Sequence, residues 1–503
     1  LLTDRQLDPH KLNRFAAHVE VMRTQLPADV RGEIVAHLMA NPPNGDTVRL
    51  HSVLFQLSGD LYHFERILHY LLLGGREVEP ALLHYVYWCV SRQLFLGLAA
   101  PEKRDCFVPC DFYRYYEAMV RHIADVWNIR PAPRAPKPGP VRRVAVVTNQ
   151  FSGDRHQPTR DCFDYAARLK DDCGLEVAII NANLLPLQVE NLFIPPMIAE
   201  MAGYEEVQTV TMFGRAVRMA SFNGRIFTAQ KLADIVGVVD EFDPDVIVSF
   251  GGSNIVCDLF SIAHARPVVC LPTTSGITIS LAPLVLGYDE HDFTGGIPAL
   301  YRAPFARRFR PFNFGFFLPP EGDGNPGPLP QAPFRFGIVG NRLDVEADAA
   351  FVALVDDVLD RCPGAVAVFV GGVEHLPARL DAARNRDRLV SIGHVNDIRA
   401  FYRQCDVFLN PPRQGGGGSA AIALGESVPV VTFPWGDVAS VAGPQFHTPD
   451  HAAYVDRAAA LCADAGLRAE QGAAARTRFD TVVDRRHSMA RLLACFVVAR
   501  RIH

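Results

Sequence analysis

The run Asn410-Pro-Pro-Arg-Gln-Gly-Gly-Gly-Gly-Ser419 carries the densest chemical information in this chain. It leaves one apolar segment, Val407–Leu409, and leads into another, Ala420–Glu426. Consecutive glycines cost chain entropy and let backbone approach a neighbouring group closely. With Ser419 as the N-cap of a following helix, free amides and the positive helix end would form an anion site suited to a diphosphate. A flexible glycine turn is the plainer alternative. Gly337-Ile-Val-Gly-Asn-Arg-Leu343 ends a second apolar run. Arg342 there either offers its donor fork to phosphate oxygens or is a surface residue with a backbone role. A third turn, Gly393-His394-Val395 followed by Asn396-Asp397-Ile398, could present backbone groups to a nucleobase. It could equally be a helix cap beside a solvated histidine.

A fourth segment, Thr148-Asn-Gln-Phe-Ser-Gly-Asp-Arg-His-Gln-Pro-Thr-Arg160, joins a short apolar run to a helical stretch. His156 is a candidate general base, or an orienting group for an acceptor hydroxyl, and Arg155 and Arg160 are candidate phosphate ligands. A polar loop with a surface histidine is as reasonable. Gly251-Gly-Ser253 and Thr273-Thr-Ser-Gly276 face the same way, as cleft lining or as turns, and Asp289-Glu-His291-Asp292 offers a rival base. Asp243-Pro-Asp245 has the spacing of a metal-binding carboxylate pair, but it precedes its strand and reads as a turn and strand start. Cys106 and Cys110 are close, yet no second pair stands at ligand spacing, so no metal site is expected.

The elements that position these residues follow from hydrophobic periodicity. Leu12, Phe15, Ala16, Val19 and Met22 recur at helical spacing, as do Leu61, Phe64, Leu68, Leu71 and Leu72, and the stripe from Phe112 to Trp127. Residues 1–127 therefore read as an all-helical domain, and 128–140, with the prolines of 131–140, as a semi-rigid extended spacer. Arg143–Thr148, Leu175–Ile180, Asp245–Phe250 and Pro267–Leu271 are Val/Ile-rich runs alternating with helices, the pattern of parallel strands buried on both faces. After the Pro/Gly-rich segment Leu318–Pro333 the pattern restarts with Phe336–Val339, Ala365–Val370, Leu389–Ile392, Val407–Leu409 and Pro429–Phe433. The fold class is α/β: two tandem Rossmann-like domains, 141–320 and 321–503, behind an all-α domain, with ligands expected between the carboxyl ends of the two sheets. The basic, amphipathic helix around Arg485–Arg501 could pack back across the first unit.

Composition excludes several classes. With 503 residues, 49% hydrophobic and 21% charged, the chain is globular and multidomain. A net charge of -5 and a pI near 6.4 give no footprint for nucleic-acid binding. No apolar run approaches the ~20 residues of a membrane span, and the start lacks a signal-peptide profile, although peripheral membrane contact stays open. Eleven scattered cysteines fit buried thiols in a reducing cytoplasm.

Taken together, Gly340-Asn-Arg342, Ser391-Ile-Gly-His-Val-Asn-Asp-Ile398, Ala400-Phe-Tyr-Arg-Gln-Cys-Asp-Val-Phe-Leu-Asn-Pro411 and the glycine turn before Pro429-Val-Val resemble the donor half of group 1 glycosyltransferases of the GT-B fold. The resemblance spans roughly Phe334–Val441. It implies a nucleotide diphosphate sugar, UDP-linked, contacted by Gly340, Asn341, Arg342, His394, Val395, Arg413, Gly416, Gly417, Gly418 and Ser419. Two departures stand out. The glutamate pair common in retaining members is replaced by Gln414 and Ile422, and the lysine about six residues after the arginine by Asp348; Glu426 stands close by. The helical domain ahead of such a core is also similar to bacterial cytosolic protein glycosyltransferases related to the O-GlcNAc transferase superfamily.

The expected function is metal-independent transfer of a hexosyl or N-acetylhexosaminyl group to a protein, glycan or other hydroxyl or amide acceptor. The nucleotide sugar is a co-substrate, and no cofactor is needed. Arg342, the Gly415–Ser419 amides and the helix dipole would stabilise the departing diphosphate. A non-hydrolysing nucleotide-sugar epimerase would need paired cleft carboxylates, which are not found. A catalytically inactive GT-B scaffold is kept open by the missing glutamate pair.

Overall fold

The computed structural model describes residues 9–43, 46–74, 78–97, 111–154, 156–188, 192–274, 279–287 and 307–503. Cys106, Cys110, Arg155, the 275–276 end of the Thr273 turn and the Asp289–Asp292 cluster lie outside them.

Among the described residues six helices come first: α1 (Pro9–Gln25), α2 (Ala28–Ala40), α3 (Thr47–Ser58), α4 (Tyr62–Leu73), α5 (Pro80–Gly97) and α6 (Phe112–Val126). Local signals set their ends. Asp46 caps α3 by accepting from the Val48 and Arg49 amides, and Gly59 stops it in the left-handed region at φ 69°. The stripe on α6 (Phe112, Tyr115, Tyr116, Met119, Val120 and Ile123) is buried throughout.

The first α/β domain comprises β1 (Arg143–Thr148), α7 (Gln157–Asp171), β2 (Glu176–Asn181), β3 (Val207–Met212), β4 (Arg215–Ser221), α8 (Ala229–Phe242), β5 (Val246–Phe250), α9 (Ile255–Ile262), β6 (Val268–Leu271), β7 (Leu284–Gly287) and β8 (Phe309–Pro311). Its strand order is β3-β4-β2-β1-β5-β6-β7-β8, parallel except for the β3–β4 hairpin. That hairpin was not anticipated, although its strands alternate around Phe213 and Gly214, both at positive φ (52° and 73°), as a tight hairpin turn requires.

The second domain comprises β9 (Phe334–Val339), α10 (Leu343–Glu346), α11 (Ala349–Asp360), β10 (Ala365–Val370), α12 (Leu376–Asp381), β11 (Leu389–Gly393), α13 (Ile398–Tyr402), β12 (Val407–Leu409), α14 (Gly417–Gly425), β13 (Val430–Val431), α15 (Gly436–Ala442), α16 (His451–Ala463), α17 (Ala465–Arg478) and α18 (Arg485–Ile502). Its five parallel strands run β11-β10-β9-β12-β13. The order reverses between β9 and β12 here, and between β1 and β5 in the first sheet. Crevices open at such reversals, beyond the carboxyl ends of the strands. The four loops leaving β1, β5, β9 and β12 are the ones that carry Thr148–Arg160, Gly251–Ser253, Gly340–Arg342 and Asn410–Ser419.

Packing explains why the three parts form one body. Alternate residues of β1 face opposite ways: Ala145 and Val147 join a core with the helical region, while Val144 and Val146 join a core reaching the second domain and α18. Polar contacts stitch the first of these junctions. Tyr116 Oη donates to the buried Asp258 Oδ2 at 2.5 Å, and Tyr87 Oη to Ser253 Oγ at 2.8 Å. The helical region is therefore packed on the first domain, against α9 and the loop after β5, and the proline-rich spacer does not hold it at a distance. The spacer itself is pinned: Arg134 pairs with Asp240, Lys137 with Asp243, and Arg500 donates to the Lys137 and Gly139 carbonyls. Asp245 accepts from the Arg142 and Arg143 amides, so Asp243-Pro-Asp245 is the turn and strand start that its place before the strand suggested.

As expected, α18 lies back across the first domain, against α7 and β5–β7. Its first residue, Arg485, is fully buried, paired with Asp161 and with Asp164 (2.9 Å), and stacked 4.4 Å from the Tyr165 ring centre. Among the described residues no cysteine forms a disulfide, no group of three or more His, Cys, Asp or Glu side chains could hold a metal ion, and no helix is long and apolar enough to cross a membrane.

Candidate functional site in the cleft between the two sheets

The glycine-rich loop after β12 is organised by an arginine. Arg413 is buried and donates through Nε to Asn410 Oδ1 (2.8 Å), through Nη1 to Glu346 Oε2 (2.9 Å) and through Nη2 to the Val339 carbonyl (3.0 Å). It fastens the loop to the end of β9 from inside, and it is this loop's strut where a donor contact was expected. A Cβ on Gly340 would stand 2.5 Å from Arg413 Nη1, and one on Gly416 2.6 Å from its Nε. Both glycines thus make room for the strut. Gly416 sits at φ 100° and takes the cap position of α14, so Ser419 lies inside the first turn and is not the N-cap. A Cβ on Gly417 would meet Phe316, Asp437 and Val441 at 3.2–3.3 Å, which makes this glycine a packing requirement.

Arg342 ends up beside this loop. Its Nε and Nη2 donate to Glu346 Oε1 at 2.9 and 2.7 Å, one turn along α10. Nη1 makes no hydrogen bond to any described residue, and the side chain is 41% exposed. Glu346, clasped between Arg413 and Arg342, is buried; burial alone would raise its pKa, but the two guanidiniums hold it below the usual glutamate value. A Cβ on Gly415 would lie 2.7 Å from Arg342 Nη2.

The rest of the expected donor set forms the rim. Gly371, at φ 145°, is pressed so closely on the Gly340 carbonyl that a Cβ there would stand 1.7 Å from it. His394 Nε2 would lie 3.0 Å from a Cβ on Gly372, which in turn faces the Asn341 carbonyl at 3.9 Å. His394 and Asn341 are exposed, and Val395 is partly covered by the segment around Gly327. Asp397 caps α13 and also accepts from the Gly322 and Gly324 amides, tying down the interdomain segment. The departures from the group 1 pattern have structural occupations. Asp348 caps α11, and Glu426 is paired with Arg399 and Arg403.

The first domain contributes the opposite wall. Gln157, at the start of α7, lies against the start of α14: a Cβ on Gly418 would be 3.0 Å from Gln157 Cδ. Arg160 donates to Gln157 Oε1, while its Nε is buried without a partner, as is Ser152 Oγ in the same loop. His156 precedes α7, and its Nδ1 is 2.9 Å from Thr159 Oγ1, which also accepts from the Ser152 amide. Burial first, then Arg160 and Arg342, push the His156 imidazole down to about 4. It is neutral at physiological pH. With Nδ1–H donating to Thr159, Nε2 would carry the free lone pair. Ser253, from the loop after β5, is held by Tyr87, and its carbonyl accepts from Asn149 Nδ2 at 2.6 Å.

Two helix N-termini, two arginines and a neutral histidine thus meet around one crevice, with cations in excess of anions. The arrangement suits a dianionic group bridging the two domains. Sequence reasoning had assembled most of this wall, but not Gln157, Glu346 or Gly371. Glu346 was detectable as an i, i+4 partner of Arg342, and Gly371-Gly372 as a glycine pair directly after a strand.

The architecture is that of a GT-B protein, two Rossmann-like domains with a cleft between, preceded by a helical region. A mutant of the Thermobaculum terrenum O-GlcNAc transferase superposes on it with TM-score 0.57 at 17% identity, covering 99% of this chain and 98% of that one. Residues 334–464, within the second α/β domain, match the family model described as Glycosyl transferases group 1. HepE from Anabaena, solved in complex with UDP, aligns with TM-score 0.49 and 15% identity over 71% of this chain and all of that one. A glycosyltransferase from Rickettsia africae gives 0.49 and 10% over 72% and 99%. Comparison with curated proteins finds no match.

Proposed function

We propose that the protein is a glycosyltransferase that moves a hexosyl or N-acetylhexosaminyl group from a UDP-linked sugar to a hydroxyl or amide of a protein or glycan, without a metal ion. The observation that carries this reading is the meeting of Arg342, the Gly415–Ser419 turn and the Gln157–Arg160 turn across the cleft. Breaking the glycosidic bond leaves charge on the diphosphate. The α14 amides, the free Nη1 of Arg342 and the unpartnered Nε of Arg160 would receive it.

The same charge would act on His156. Two of the three influences that depress its pKa are Arg160 and Arg342. A bound diphosphate neutralises both, which raises the imidazole towards its ordinary range and makes Nε2 a better base for the acceptor proton. Donor binding and base activation would be one event.

The test is a calorimetric titration of the full chain with UDP, followed by acceptor assays with UDP-sugars. Arg342→Ala should weaken UDP binding by about 1.5–3 kcal/mol, the range for a hydrogen bond to a charged group. His156→Ala should leave UDP affinity intact and lower turnover by ~10²–10⁴-fold. A wild-type chain that binds no UDP, or an Arg342→Ala variant that binds it unchanged, would remove the donor assignment.

A further inference from the structure

The helical region touches the second α/β domain at the donor loop. Near the end of α5 the Phe95 ring lies under Arg342, with the guanidinium carbon 4.9 Å from the ring centre. Phe95 Cζ is also 3.6 Å from where a Cβ of Gly415 would stand. A cavity between the two parts is lined by Phe95, Leu96, Arg342, Glu346, Pro412 and Gln414.

We infer that the helical region is a working wall of the donor site, in which Phe95 is a positioning residue for Arg342. This rests on the donor reading above and extends it to a part of the chain outside both Rossmann-like domains. The physical case has three parts. An arginine with four side-chain torsions loses donor geometry unless something fixes its plane. Glu346 binds one edge and leaves the plane free to swing about that contact. An aromatic face beneath the guanidinium removes this freedom and stays apolar towards the anion, so the plane is held with Nη2 on the Gly415 side of the loop.

The arrangement also couples the domains. The body of the helical region shares its core with the first sheet, so Phe95 reaches from that body to the second domain across the cleft. The donor loop is thereby held in register with the acceptor-side wall.

The experiment uses the full chain in two arms. In the first, UDP affinity is measured for Phe95→Ala, Phe95→Leu, Phe95→Trp, Arg342→Ala and the Phe95→Ala/Arg342→Ala pair. Phe95→Ala and Phe95→Leu should each weaken UDP binding by about five- to thirty-fold, the loss of a partly desolvated cation–π contact, and Phe95→Trp should restore it. On the Arg342→Ala background, Phe95→Ala should add almost nothing. In the second arm, amide exchange of residues 411–419 is followed without ligand. It should be faster in Phe95→Ala and Phe95→Leu than in wild type, and normal in Phe95→Trp. Exchange and affinity unchanged in Phe95→Ala, or effects of the two substitutions that simply multiply, would overturn the inference. Wild-type protein that binds no UDP while Phe95→Ala still loosens the loop would sink the donor reading and leave the bracing role of Phe95 standing.

Discussion

The two α/β domains carry the same kind of sheet but are stabilised differently. In the second, residues of β9 and β10 facing away from the first domain (Phe334, Phe336, Ile338, Ala365, Ala367 and Phe369) pack with α11 and α16 of the same domain. In the first, neither face is covered only by its own helices. Ala145, Val147, Ile180 and Ile247 share a core with α3–α6, while Val144, Val146 and Val248 share one with α18 and the Phe312–Phe316 strap. The difference teaches why helices stand before this GT-B body at all. The acceptor-side sheet is buried on both faces by its own α7, α8 and α9, and those layers are completed by the helices before and after the domain.

The strongest way to break that comparison is to remove residues 1–140. The outer side of α9, with Asp258 and the apolar residues of the shared core, would then meet solvent, and the remaining chain should be insoluble or should bind hydrophobic dyes strongly. A soluble, monomeric 141–503 fragment by light scattering would show the first domain to be self-sufficient. Next in size is the other face. Arg485→Ala leaves Asp161 and Asp164 buried without their shared partner and should lower the unfolding free energy of the first domain by about 3–5 kcal/mol. The check is a urea titration in which the domains are followed separately by amide exchange, with peptides of β9–β11 much less affected than those of β1 and β5.

Acid should sharpen the comparison more gently. His51, His84 and His156 are held at about 4, 3 and 4, each mainly by burial, against an unfolded value of about 6.5. The folded state therefore disfavours their protonation. Their contribution is complete above pH 6.5 and is lost as the pH falls towards 4. Asp258, raised by burial to about 6, works in the opposite direction over part of that window, but with a smaller shift than His84 alone. Between pH 7 and pH 5, exchange should quicken in α3–α5 and the first domain before it does in α11 and α16. Simultaneous loosening of every region would contradict this.

Much of the site was legible because each loop at a sheet reversal is announced by a β-branched run and then glycine or asparagine: RVAVVTN at β1, FGIVGN at β9, VFLN before the four glycines at β12. Burial on both faces makes those runs continuous, and the loop chemistry marks their carboxyl ends. Less accessible was how individual residues divide the work. Arg413 and Arg342 are equivalent as letters, yet one is an internal strut and the other is exposed, because Gly340 and Gly416 leave space for only one of them inside. Ser419 looked like a cap, but the positive φ at position 416 starts the helix at Gly417, earlier than Ser419 implied. Phe95 could not be connected with Arg342 at all, since their contact depends on how the helical region docks.

Arg485 reaches Asp164 across 321 residues of intervening chain. On a ribosome adding ~5–20 residues per second, the carboxylates at 161 and 164 would wait about a quarter of a minute to a minute for their counter-charge. Through that interval the β5–β7 part of the acceptor-side sheet would be synthesised but uncovered on the side that α18 later takes, while the donor domain forms its own core. The domain made earlier would be the one completed last, and a holding chaperone that recognises Val/Ile-rich strands would find its target there.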